Sequence, residues 1–159
     1  MSRRLVILRH AKSEWPDGVA DRRRPLAGRG RREAPLAGRW LNEHLGKIDL
    51  VVCSPAQRTR ETWTWVSEEL DAVPELRVED RLYPGSPRAL MAVARQLPDE
   101  ARTVLFIGHN PGLEDLVADL SGTGCVLKTS SIAVLTGRGD WTDVAPGWAT
   151  LDASATPRP

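Results

Sequence analysis

The chain predicts a single α/β domain, with a mostly parallel central sheet and helices on both faces. Short apolar, β-favouring runs alternate with longer segments of helical apolar spacing. No linker or internal repeat breaks the alternation, and 159 residues suffice for one core without a metal or disulfide staple. The first strand is Leu5–Leu8. A helix from about Gly30 to Leu45 follows, carrying Leu36, Trp40, Leu41 and Leu45 on one face and Pro35 within its first turns. Asp49–Cys53 is the next β run, and a helix from about Ala56 to Leu70 sets Trp63, Val66 and Leu70 at helical spacing. Ser86 and Pro87 open another helix as N-cap and first-turn residue, with Leu90, Val93 and Leu97 as its inner stripe up to Pro98. Thr103–Ile107 is a strand. Asn110-Pro111 opens the next helix, whose Leu113, Leu116, Val117 and Leu120 face inward until Gly122 stops it. Short β pieces follow at Ser131–Leu135 and roughly Trp148–Leu151, so the domain is expected to span residues 1–152. Residues 153–159, polar and proline-containing, read as a loose tail.

Composition narrows the function classes. With 41% hydrophobic and 27% charged residues and a formal net charge of +1, the chain is an ordinary globular protein. It is neither disordered nor coated for general nucleic-acid binding. Cys53 and Cys125 form no metal-spaced or redox pair, which predicts reduced thiols and a cytoplasmic protein. Ser2-Arg3-Arg4 imitates an export signal, but the apolar run behind it ends at Leu8. No stretch approaches eighteen apolar residues, so no membrane span is expected. Charge is uneven: residues 1–47 carry twelve basic against five acidic side chains. Such a face could steer an anionic substrate, although Arg22-Arg23-Arg24 also reads as a solvated loop.

Two β runs about a hundred residues apart end in a histidine, Leu5-Val-Ile-Leu-Arg9-His10 and Val104-Leu-Phe-Ile-Gly108-His109. A neutral imidazole is a nucleophile, and a guanidinium grips phosphate oxygens in a fork. Arg9-His10 therefore points to phosphoryl chemistry, against the plainer reading of two unrelated strand-end histidines. A third segment, Ser54-Pro-Ala-Gln-Arg58-Thr-Arg60-Glu61-Thr62, also follows a strand directly. Arg58 there begins a helix, where a cation opposes the helix dipole and a bound anion would offset the cost. The alternative is a surface arginine paired with Glu61 or Glu68. In an open α/β sheet, ligands bind beyond the carboxyl ends of the strands, where all three segments stand.

Arg9-His10, Ser54-x-x-x-Arg58-x-x-Glu61-Thr62 and Gly108-His109, each after a strand, resemble the histidine phosphatase superfamily with its phosphoglycerate mutase-like fold. Arg9-His10-Ala11-Lys12-Ser13-Glu14-Trp15, the Arg24-Pro25-Leu26…Gly30 stretch and Gly108-His109-Asn110-Pro111-Gly112 resemble its small SixA-like phosphohistidine phosphatases. The likeness runs from Leu5 to about Leu135. It implies in-line attack by His10, a phosphohistidine intermediate and release of inorganic phosphate by water. Arg9, Arg58 and His109 would surround the equatorial oxygens without metal or cofactor, His109 as a protonated donor. Ser13 and the backbone amides near Asn110 would add phosphate contacts or else cap a helix or pack the loop, and Trp15, five residues past His10, stands where it could wall the pocket. The superfamily's glycine after the first histidine is Ala11 here, tolerable if its φ is negative.

The resemblance also implies a proton donor that the chain does not clearly supply. Glu79 and Asp80 lie near the position used by mutase-like members, and Asn110 replaces the acid of acid-phosphatase-like members. An alkoxide leaving group needs a general acid, whereas a phosphorylated imidazole leaves readily. The expected substrate is therefore a phosphohistidine-containing protein. A small phosphorylated molecule hydrolysed as a monoester, or a phosphoprotein bound without turnover, are the competing readings. Cys53 stands one residue too close to Arg58 for a cysteine phosphatase, and no P-loop occurs. A zinc site would need His10, His44 and His109, but His44 is offset from the apolar stripe of its helix and faces solvent.

Overall fold

In the computed structural model, which describes residues 2–159, every predicted helix and strand forms within a few residues of its expected bounds. The elements are β1 (Arg3–Arg9), α1 (Gly28–Leu45), β2 (Leu50–Cys53), α2 (Gln57–Ser67), β3 (Glu75–Val78), α3 (Pro87–Arg95), β4 (Thr103–Gly108), α4 (Gly112–Ser121), β5 (Ile132–Gly137) and β6 (Ala149–Ala155). Ser86 caps α3 by accepting from the Ala89 amide, and Gly122 ends α4 at a left-handed φ of 71°.

Among the described residues, six strands form one sheet in the order β3-β2-β4-β1-β5-β6. The first four run parallel; β5 and β6 are antiparallel additions. Successive side chains of a strand face opposite ways, and here both faces are covered. Leu5 and Ile7 of β1, Leu50 and Val52 of β2, and Val104 and Phe106 of β4 meet α3, α4, Trp141 and Trp148 on one face. Val6, Leu8, Val51, Cys53, Leu105 and Ile107 meet α1 and α2, with Leu41, Trp63 and Val66, on the other. This double cover is the physical reason the central strands read as unbroken apolar runs.

Two features depart from the expectation. The edge strand β3 is wholly exposed and alternates Glu75 and Arg77, which pair with each other, against Leu76 and Val78. It carries no buried run to betray it, and its charges protect an open edge. The C-terminal segment is a correction: residues 153–155 continue β6 against β5, and Ala153 packs on the second core. Beyond them, Thr156 bonds Ser131, and Arg158 reaches the buried carboxylate of Glu33 at 3.2 Å and the Thr129 carbonyl at 2.9 Å. Small residues that look uncommitted in sequence fit a half-buried edge. Among the described residues, no helix is long and apolar enough to cross a membrane.

The N-terminus of α4 is set by a close approach. A Cβ on Gly112 would lie 1.7 Å from the Gly85 carbonyl oxygen, a backbone atom that cannot swing aside. Gly112→Ala must therefore part the Tyr83–Ser86 loop from α4, at a cost of about 1–3 kcal/mol, measured by urea unfolding. Stability within about 0.5 kcal/mol of the parent would show that the approach is not a constraint.

Candidate active site

Parallel pairing of β4 with both β1 and β2 sets three strand ends side by side, Arg9 opposite Gly108 and Cys53 opposite Ile107. The next residues of the three strands, His10, His109 and Ser54, therefore leave the sheet at one edge. The His10 amide donates to the Gly108 carbonyl at 3.1 Å, and the Ser54 amide to the Ile107 carbonyl at 3.0 Å. The two imidazoles stand with centroids 5.3 Å apart.

The orientation of His10 is set by its own backbone. Its Nδ1 lies 2.7 Å from the Ala11 carbonyl. A carbonyl only accepts, so Nδ1 carries the proton and Nε2 keeps its lone pair. Ser130, with φ of 61°, donates its amide to the carbonyls of both Arg9 and His10 and braces the turn from behind. Among the described non-glycine residues only Ser130 has a positive φ, so Ala11 needs none of the freedom of the glycine it replaces. The Ala11 amide donates to Thr62 Oγ1, which in turn donates to the Arg58 carbonyl. Glu61 accepts from the Leu26 amide. The motif residues around Arg58 thus hold the neighbouring loops.

Each arginine spends one nitrogen on a carbonyl and keeps another free of the protein. Arg9 Nη1 donates to Leu127 O at 3.0 Å, and Arg58 Nη1 to Asp21 O at 2.7 Å. Arg9 Nε, Arg58 Nε and His109 Nδ1 are buried without a protein partner; they are three of six such side-chain atoms among the described residues. Buried polar atoms are rarely left so. Three of the six belong to residues gathered in this one cluster.

Burial drives the electrostatics of both rings. It pushes His10 down to about 3, with His109, Arg58 and Arg9 adding repulsion and the bond to Ala11 opposing. It pushes His109 down to about 4, with Arg58 adding and Asp21 opposing. This pocket by itself thus favours the neutral ring, where the expectation was a protonated donor beside bound phosphate.

Asp21 was not singled out in the sequence, yet it organises the cations. Its carboxylate accepts from Arg24 Nη1 at 3.0 Å, Arg58 Nη2 at 3.1 Å and the Tyr83 hydroxyl. The bond from Tyr83, then those from Arg24 and Arg58, hold it well below the usual carboxylate range. The available signal was an acid opening an arginine run, Asp21-Arg22-Arg23-Arg24. Arg22 and Arg23 are exposed as a solvated loop should be, but Arg24 is buried and also donates to Ser13 Oγ at 2.7 Å. Arg58 pairs with Asp21 rather than with Glu61 or Glu68.

These side chains line a polar cavity of about 290 Å³, shared by Arg9, His10, Ser13, Trp15, Asp21, Arg24, Arg58, His109 and Asn110. Trp15 is 75% exposed at its mouth, under the Arg24 guanidinium. The Asn110 side chain donates to Leu127 O and accepts from the Glu114 amide, so its first role is to shape the loop that also holds Arg9. A second, more apolar groove of about 540 Å³ adjoins at His109, Arg58 and Asp21 and runs along Tyr83, Pro84, Pro87, Pro111 and Gly112. Glu79 and Asp80 line neither space, and Glu79 is bonded to Arg81. His44 is exposed on α1, stacked on Trp40. Cys53 is buried, which pushes its thiol up to about 12.

Residues 5–83 match the model of the histidine phosphatase superfamily (branch 1). The phosphohistidine phosphatase SixA of Escherichia coli is 32% identical over 136 residues, covering 83% of this chain and 84% of that protein. A solved structure assigned to SixA of Nakamurella multipartitia superposes with a TM-score of 0.89 at 33% identity, covering 99% of this chain and 97% of the other. The protein histidine phosphatase SixA complexed with tungstate superposes with a TM-score of 0.84 at 29% identity, covering 97% of each chain. With its sheet order, its strand-end histidines and these relatives, the chain belongs to the histidine phosphatase superfamily, among the SixA-like phosphatases.

Proposed function

We propose that the protein hydrolyses phosphohistidine on a partner protein through a phosphoryl intermediate on His10. The observation that carries this reading is the set of three buried donors without protein partners, Arg9 Nε, Arg58 Nε and His109 Nδ1, beside a histidine whose Nε2 is unprotonated. His10 Nε2 attacks phosphorus, the P–N bond to the substrate imidazole breaks, and that imidazole departs with a proton taken up from solvent. Water then attacks phosphorus, the bond to His10 breaks, and inorganic phosphate leaves. Developing charge on the equatorial oxygens meets the two guanidinium edges and His109, held in place before the reaction begins. The two guanidiniums supply the charge compensation that a metal gives elsewhere, so activity is expected to survive chelators. That a related SixA was solved in complex with tungstate, a tetrahedral oxyanion, supports an oxyanion ligand for this protein too.

The choice of a P–N over a P–O bond follows from the carboxylates. Among the described residues, Asp115 lines the adjoining groove but not the polar cavity, which is lined by one carboxylate, Asp21. Held ionised by Tyr83, Arg24 and Arg58, it has no proton to give a departing alkoxide. A phosphorylated imidazole needs none, because its ring nitrogen is protonated before it leaves. The apolar groove along Tyr83, Pro84 and Pro111 offers that ring and the surface bearing it a place to lie.

Steady-state assays with a phosphohistidine-bearing protein and an alkyl phosphate should give kcat/KM values at least about 100-fold apart, in favour of the former, and His10→Ala should abolish both. Comparable values would favour a monoesterase, and tight binding without phosphate release would leave a binding module. Because both ring pKa values are depressed, the imidazole resonances of His10 and His109 should remain those of neutral rings at pH 5.5; titration near 6.5 would contradict the burial argument. The unfolded chain takes up protons on these histidines as pH falls below 6.5 while the folded chain resists until about 4 and then 3. The stability they contribute is therefore complete above 6.5 and is lost progressively below it. Chemical denaturation at pH 7.5 and pH 5 should show the decline; equal stability would count against it.

A further inference from the structure

We propose that Ser54 is a positioning residue that sets the tautomer of His109: its hydroxyl donates to Nε2, placing the ring proton on Nδ1, where a neutral imidazole can still donate to a phosphoryl oxygen. The inference deepens the phosphatase reading and rests on it for the identity of the acceptor.

Ser54 has no exposed surface. Its Oγ accepts from the Ala56 amide at 3.2 Å and lies 2.8 Å from His109 Nε2. If Nε2 carried the ring proton, Oγ would accept twice and its own hydrogen would have no acceptor. His109 Nδ1, buried without a protein partner, would then present a lone pair to the anion. That arrangement strands two polar groups and sets lone pair against oxyanion. With the hydroxyl as donor, Ser54 is satisfied through both its hydrogen and its lone pair, and the one remaining proton, on Nδ1, is the one an oxyanion would accept. The tautomer of a histidine follows from the bond made by its other nitrogen, and here that bond comes from the residue beginning the Arg58 segment. Ser54 also stands at the end of β2, so the β2–β4 pairing that brings Arg58 to the site aligns the hydroxyl with the ring. The depressed pKa of His109 is consistent with a donor that needs no added charge.

The test is ring-nitrogen NMR on ¹⁵N-histidine-labelled protein at pH 7, alone and with inorganic phosphate, joined to turnover of a phosphohistidine-bearing protein. In the wild type, His109 should show a protonated Nδ1 and an unprotonated Nε2 in both conditions. Ser54→Ala should shift the ring towards Nε2–H and lower kcat about tenfold or more, in line with the loss of an aligned donor, with a smaller change in KM. Ser54→Thr, which keeps a hydroxyl, should hold the wild-type tautomer. A protonated Nε2 in the wild type, with or without phosphate, overturns the proposal whether or not the alanine variant folds. An unchanged tautomer in a folded alanine variant overturns it too. A wild type with the Nδ1–H tautomer that turns over no phosphohistidine supports the assignment of Ser54 while removing the phosphohistidine reading.

Discussion

Everything at the site depends on the parallel pairing of β4 between β1 and β2. Three segments distant in the chain contribute one strand each, and hydrogen-bond register along those strands fixes which residues stand next to one another where the strands stop. A shift of one residue in either ladder would turn every side chain of a strand to the opposite face, exchanging Leu5 and Ile7 for Val6 and Leu8, or Val104 and Phe106 for Leu105 and Ile107, in cores packed to the shapes now present. The cores on the two faces therefore protect the geometry of the strand ends. The site inherits its rigidity from the most buried part of the molecule, while α3, α4 and the Tyr83–Ser86 loop shape the groove beside it.

Bringing two guanidiniums and two imidazoles together carries an electrostatic cost, and the protein meets it in two ways. Burial keeps both rings neutral, so the local charge is that of the arginines. Asp21 answers Arg24 and Arg58 from the rim, and its bonds take up the Nη side of Arg58 while leaving Nε free. Arg9 follows the same pattern with the Leu127 carbonyl in place of a carboxylate. Oriented donors whose other nitrogens are already engaged lose little freedom on meeting an anion, which is the physical content of preorganisation. The carboxylate that anchors the cluster is, for the same reason, a poor acid, and the proposed preference for a P–N bond rests on it.

Much of this was legible in the sequence, for identifiable reasons. Strands buried on both faces leave unbroken apolar runs, and a histidine closing such a run can only stand at a sheet edge, so His10 and His109 announced themselves. Arg58 was marked by its place at the start of a helix. Asp21 was not, because its partners lie up to 62 residues away and nothing in a polar loop signals a bond to Tyr83. Ser54 belongs to the Arg58 motif, but its bond to His109 spans 55 residues and follows only from strand register. The lowered pKa of His109 was not legible because burial, its largest cause, is a property of the packed molecule. The edge strand β3 and residues 153–155 were missed or misread because an exposed or half-buried edge leaves little hydrophobic pattern.

The central claim is that Arg9, Arg58 and His109 present their free nitrogens to one tetrahedral anion lying against His10. A crystal structure of the protein soaked with tungstate tests it most directly. The account predicts one oxyanion in the 290 Å³ cavity, its oxygens within hydrogen-bond distance of both Nε atoms and of His109 Nδ1, with its central atom in line with His10 Nε2. An ion bound elsewhere, or one held in that cavity by other groups while these three nitrogens turn to protein partners, would contradict it.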